Sequence, residues 1–147
     1  MKKETINKEI FIECRPQTLF SFFIDPGKMQ KWMGRQILME PRIQGRFRID
    51  IDGDNIALGE YKEIVQNEKI VMTWGWEGSD IMPPGTSTVE FLLEEQDNGT
   101  LLKLTHYDIP IEKIHSNNDG WTHYMERCKG IAEGVDIGVD PWSIKKS

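Results

Sequence analysis

The chain has 147 residues, 38% hydrophobic and 29% charged, which suits one globular domain with a real core and excludes a disordered chain. No apolar run approaches the roughly 20 residues of a membrane helix, and the N-terminus has no signal-peptide core, so no membrane insertion and a cytoplasmic location are expected. The net charge of −6 argues against nucleic-acid binding, and it is unevenly spread: residues 1–50 carry ten basic and six acidic groups, residues 51–147 eight and eighteen.

In chain order, Ile6 to Ile12 alternates as a strand. Arg15-Pro16 opens a short helix with Leu19, Phe20, Phe22 and Phe23 on its apolar side, because proline is tolerated in a first helical turn. Asp25 is placed to cap a second short helix running to Trp32 and ended by Gly34. Strands follow at Ile37–Glu40 and Gly45–Asp52, then the hairpin turn Asp52-Gly53-Asp54-Asn55 and a return strand Ile56–Val65, with Gly59 marking a bulge or close approach. Lys69–Trp76 sets Ile70, Met72, Trp74 and Trp76 on one face. A loop rich in Gly and Pro spans Glu77 to Thr86. Ser87–Glu95 and Thr100–Tyr107 are the last strands, with Leu102, Leu104 and His106 sharing a face.

A long helix is read from Ser116 to Gly134, its stripe formed by Trp121, Tyr124, Met125, Cys128, Ile131 and Ala132. Ser116-x-x-Asp119 resembles a capping box and Gly134 a C-cap. Residues 135–147 read as a tail docked by Trp142, giving one domain over 1–147 with its core at about 6–134. The class is α+β: an antiparallel sheet of six or seven strands wrapping a single helix.

The three histidines form no HExxH or HxH pattern and the two cysteines no CxxC, so no metal and no cofactor is expected. Cys14 and Cys128 read as free thiols of a reducing compartment. Arg42, Arg46 and Arg48 read as a solvated strand face or an anion contact.

The segments Phe23-Ile24-Asp25-Pro26-Gly27-Lys28-Met29-Gln30-Lys31-Trp32, Gly45-Arg46-Phe47-Arg48, Gly59-Glu60-Tyr61, Ile70-Val71-Met72-Thr73-Trp74, Gly99-Thr100 to Leu104-Thr105-His106 and Gly120-Trp121 occur in an order that resembles a known group. The chain is similar to the START-like superfamily with the helix-grip fold, and within it to bacterial proteins related to the C-terminal domain of the Hsp90 ATPase activator. That resemblance implies a cavity between the sheet and the last helix. It also implies a possible chaperone partner, although the eukaryotic activator engages the chaperone through a separate N-terminal domain. Where the family often carries paired tryptophans, this sequence has Trp32-Met33, which alters one wall of the mouth.

Trp32, Phe47, Trp74, Trp76, Leu102, Leu104, His106, Trp121, Tyr124, Met125 and Cys128 are therefore the candidate ligand-binding set. Singly each reads as core; together on this fold they suit an aromatic cavity with a few polar tips. His106 is the one catalytic candidate, with a buried, hydrogen-bonded histidine as the alternative. Three functions follow: binding of a small apolar or aromatic molecule, chaperone-linked interaction, and catalysis of the polyketide cyclase kind. The edge strand Ile6–Ile12 leaves monomer and homodimer both open.

Overall fold

The computed structural model describes residues 2–144, so Lys145 to Ser147 of the expected tail lie outside the described residues. The elements are β1 (Lys3–Ile12), α1 (Pro16–Ile24), α2 (Pro26–Met29), β2 (Gln36–Met39), β3 (Arg46–Asp50), β4 (Ile56–Val65), β5 (Lys69–Trp76), β6 (Ser87–Gln96), β7 (Gly99–Pro110) and α3 (Ile114–Ala132). Seven strands form one antiparallel sheet in the order β1-β7-β6-β5-β4-β3-β2. From β2 to β7 each strand pairs with its neighbour in sequence. The first strand crosses to pair with the last, so β1 and β2 are the two edges. The sheet is curved, and α3 lies against it in the helix-grip arrangement that the sequence resembles.

Period-two patterning explains the inner face. Ile70, Met72 and Trp74 of β5, Val89, Phe91 and Leu93 of β6, and Leu102, Leu104 and His106 of β7 are all buried. The buried stripe of α3 opposite them is Asn117, Trp121, Tyr124, Met125 and Cys128, at spacings of three and four. Each such large apolar side chain contributes about 1.5–3 kcal/mol when fully buried.

Several boundaries differ from the sequence reading, and the second short helix ends at Met29 rather than Trp32. The last strand runs to Pro110 rather than Tyr107, because Asp108 adopts φ 64° and breaks the alternation without ending the strand. His106 and Ile109 both face inward as a result, and β1 extends back to Lys3 to pair with them. The capping box is also corrected. A 3₁₀ turn, Ile111–Lys113, carries the chain from Pro110 straight into a helix that starts at Ile114. Ser116 is therefore already helical, and its Oγ donates back to the Lys113 carbonyl at 3.2 Å. The C-terminal end is as read. Gly134 takes φ 83°, its N–H meets the Ile131 carbonyl, and the Val135 N–H meets Gly130, which is a Schellman closure.

Gly59 is a close-approach point. A Cβ there would run into the Thr73 carbonyl and the ring of Phe47, which lies across the glycine from the paired strand. Gly59→Ala is expected to lower stability by about 2 kcal/mol through overpacking, read as a lower urea midpoint at unchanged m-value. An unchanged midpoint would mean that both the Thr73 carbonyl and the Phe47 ring can give way.

Candidate functional site

A cleft of about 780 Å³ opens where three parts of the chain converge. The β3–β4 hairpin contributes Ile51, Asp52, Asp54, Asn55 and Ile56; β5 and the loop after it contribute Trp74, Trp76, Glu77, Gly78 and Ser79. The first half of α3 contributes Ser116, Asn117, Gly120, Trp121 and Tyr124, preceded by Lys113. Met33 closes one side, and Pro141, Trp142 and Ile144 of the tail close another. The volume lies within the range of roughly 300–1,000 Å³ typical of small-molecule sites.

The expected site residues divide. Trp74, Trp76, Trp121 and Tyr124 meet at the cleft. Trp74 packs on Trp121 with ring centroids 5.2 Å apart and meets Trp76 edge-on at 6.0 Å. Leu102, Leu104, Met125 and Cys128 are buried in the adjoining core. Burial pushes the Cys128 thiol well above its ordinary pKa, so it stays protonated. Phe47 fills the space over Gly59 beside Tyr61 and Trp74. Trp32 is a core pin: its Nε1–H donates to the Phe22 carbonyl at 2.9 Å and its ring meets Phe23 edge-on. The side chain that reaches the cleft is its neighbour Met33, at the position where the sequence departs from paired tryptophans.

His106 is fully buried, one hydrogen bond behind the cleft wall. The Trp121 Nε1–H donates to His106 Nδ1 at 2.9 Å. That leaves the proton on Nε2, which donates to Ser87 Oγ at 2.8 Å, and the Ser87 hydroxyl donates on to the Trp74 carbonyl at 2.7 Å. The relay fixes one neutral tautomer and uses both ring nitrogens. Burial lowers the His106 pKa to about 3. The residue thus holds Trp121 in place and turns no lone pair toward the cleft.

Two polar atoms of the wall are different. Trp74 Nε1 and Tyr124 Oη are buried and have no hydrogen-bond partner among the described residues. Burial, then the charges of Asp140 and Asp52, push the Tyr124 phenol far above its usual pKa, so it remains a neutral O–H. Groups of this kind are costly unless something pairs with them.

The tail is docked as read from Trp142. That ring stacks on His123 at 3.9 Å and 9°, while Asp140 Oδ1 accepts from the Trp142 N–H at 2.9 Å and lies 2.8 Å from His123 Nε2. Arg127 donates to the Gly138 and Lys31 carbonyls and clamps the tail from beneath. Trp142→Ala is expected to leave the fold intact at a cost of about 1 kcal/mol. Amide exchange of residues 136–143 should rise sharply, and unchanged protection would show that Arg127 and Asp140 suffice.

Sequence reasoning missed Asn117, Gly120 and the acidic rim. Asn117 donates to the Lys113 carbonyl at 2.8 Å and touches Met82, a fully buried loop residue. Gly120 was visible as a glycine inside a helical pattern, a signal that asks for a packing or functional reason. The basic group is a surface feature: Arg42 lies 3.5 Å from Glu40 and Arg48 4.0 Å from Glu77. Among the described residues no group of three or more His, Cys, Asp or Glu is placed to hold a metal, and no helix is long and apolar enough to cross a membrane.

No curated protein matches the chain. Solved structures do. An AHSA1-like protein from Rhizobium etli is 34% identical, with 99% of this chain and 92% of that one covered at a TM-score of 0.78. The Aha1 dimer from Colwellia psychrerythraea shares the fold at 16% identity, covering 89% and 97% of the two chains at a TM-score of 0.79. A protein from the dynemicin biosynthetic locus shares it at 14% identity and a TM-score of 0.78; the match covers 88% of this chain and 47% of that one. The model of the Activator of Hsp90 ATPase homolog 1-like protein family matches residues 13–133, and with those residues the chain belongs to that family.

Proposed function

We propose that the protein binds a small, largely aromatic molecule in the cleft between the β3–β4 hairpin, β5 and the start of α3. The observation that carries this reading is Gly120. A Cβ built on it meets nothing within 4 Å, so no neighbour demands a glycine there. Glycine in a helix interior is worse than alanine by about 1 kcal/mol. The missing side chain enlarges a cleft walled by Trp74, Trp76, Trp121 and Tyr124. The unpaired Trp74 Nε1–H supports an oxygen acceptor on the ligand. Free thiols at Cys14 and Cys128 fit a reducing, cytoplasmic setting.

The test is a titration with N-phenyl-1-naphthylamine, a neutral aromatic probe whose emission rises in apolar sites. Saturable one-to-one binding that perturbs the indole N–H resonances of Trp74 and Trp121 is expected. Non-saturable binding, or perturbation confined to residues outside the cleft, would remove the proposal.

A further inference from the structure

Building on the cleft as a ligand site, we infer that its ligand is an organic cation, an ammonium group carried on an aromatic body. The first argument is charge. The ionisable side chains lining the cleft, among the described residues, are Asp52, Glu77 and Lys113 at the rim, Asp54, which is engaged in an interaction of its own and carries no weight here, and the phenol of Tyr124 on the wall. Asp52 Oδ1 accepts from the Asp54 and Asn55 N–H groups and Oδ2 from Asn55 Nδ2, all neutral donors. These bonds orient the carboxylate without cancelling its charge. Although partial desolvation works the other way, they and the nearby Arg35 hold Asp52 below the ordinary carboxylate range. Among the described residues the Glu77 carboxylate is paired with Arg48, at 4.0 Å across a half-exposed contact, which is worth little. Behind the wall Asp140 faces His123 and Arg127, so that layer adds little net charge to the rim.

The second argument is the wall itself. Trp74, Trp76, Trp121, Tyr124 and Trp142 line one cleft. Tryptophan faces are the strongest cation–π partners among side chains, and aromatic cages of this kind suit ammonium groups. The third is the orphan Tyr124 Oη, buried in a residue 6% exposed and able to accept from an ammonium N–H. A carboxylate ligand would instead face net repulsion at the rim, where Lys113 is the one cationic side chain lining the cleft among the described residues.

A matched trio on one ring system separates these cases: tryptamine, tryptophol and indole-3-acetate, titrated into the ¹⁵N-labelled full chain and followed by indole N–H shifts. Tryptamine is expected to bind about fivefold more tightly than tryptophol, with indole-3-acetate weakest. The gap should narrow in 0.5 M salt, through screening of the exposed rim, and in the Asp52→Asn/Glu77→Gln double variant. Equal binding of tryptophol and tryptamine would overturn the charge assignment and leave the cleft reading standing. Tight binding of indole-3-acetate would reverse it. Cleft signals unmoved by all three compounds would overturn both.

Discussion

Between pH 6.5 and pH 5 the protein is expected to lose about 1.4 kcal/mol of folding stability per pH unit, and His106→Phe is expected to abolish that slope. In the unfolded chain the imidazole titrates near 6.5; in the folded chain burial lowers it to about 3. Below 6.5 the unfolded state therefore binds a proton that the native state refuses, and stability falls as pH falls. Above 6.5 neither state binds it and this contribution is level. Across the whole window to pH 3 the loss amounts to about 5 kcal/mol, a large part of the stability of an ordinary domain. Glu133 and Asp52, whose carboxyls are held low in the native state, add their own losses only around and below their ordinary values of 4.5 and 3.8. The upper part of the acid limb is thus where His106 is read most cleanly.

The same substitution has a second effect at neutral pH. Phenylalanine strands the Trp121 Nε1–H, which His106 now accepts, and removes the donor to Ser87 Oγ, whose own O–H keeps its bond to the Trp74 carbonyl. Each unsatisfied buried group costs about 1–3 kcal/mol, so a net loss of about 3 kcal/mol is expected at pH 7. Urea unfolding at half-unit pH steps separates the two. Wild type should start higher and slope downward below 6.5; the variant should start lower and run flat to pH 5. Parallel curves would show that the native imidazole accepts its proton without penalty, and the relay would lose its meaning.

What was legible in the sequence follows from which interactions are local. β4 and β5 are legible at both ends because turn residues flank them, Asp52-Gly53-Asp54-Asn55, Gln66-Asn67-Glu68 and Glu77-Gly78, although β4 carries a bulge between Tyr61 and Glu63. β7 was read short because one residue, Asp108, carries a positive φ that period-two counting takes as an end. The inward register of His106 was legible from Leu102 and Leu104. Its partners were not, since Ser87 reaches it through the pairing of β6 with β7 and Trp121 through the packing of α3. Four aromatic side chains of the cleft stood out by size and spacing. The others in the expected set are equally apolar and periodic, and only the three-dimensional packing separates a wall from the core behind it. The acidic rim was invisible because its members come from a hairpin tip and a loop distant in sequence.

Gly120→Phe is expected to weaken binding of N-phenyl-1-naphthylamine by tenfold or more, about 1.4 kcal/mol, while leaving the protein at least as stable as before. The two halves of that expectation have different causes. Stability should not fall, because the space around the glycine is open and the helix gains a residue of better propensity. Affinity should fall because the benzyl group projects into the volume between Trp121, Tyr124 and Trp76 that a ligand would occupy. Gly120→Ala separates them: one methyl should raise stability by up to about 1 kcal/mol and leave much of the cleft open. A Phe variant that melts early would show that the helix needs glycine for packing, and the argument from wasted stability would fail. A Phe variant that is stable and binds normally would place the probe elsewhere on the molecule. Only reduced binding at undiminished stability fits a glycine whose role is to leave room.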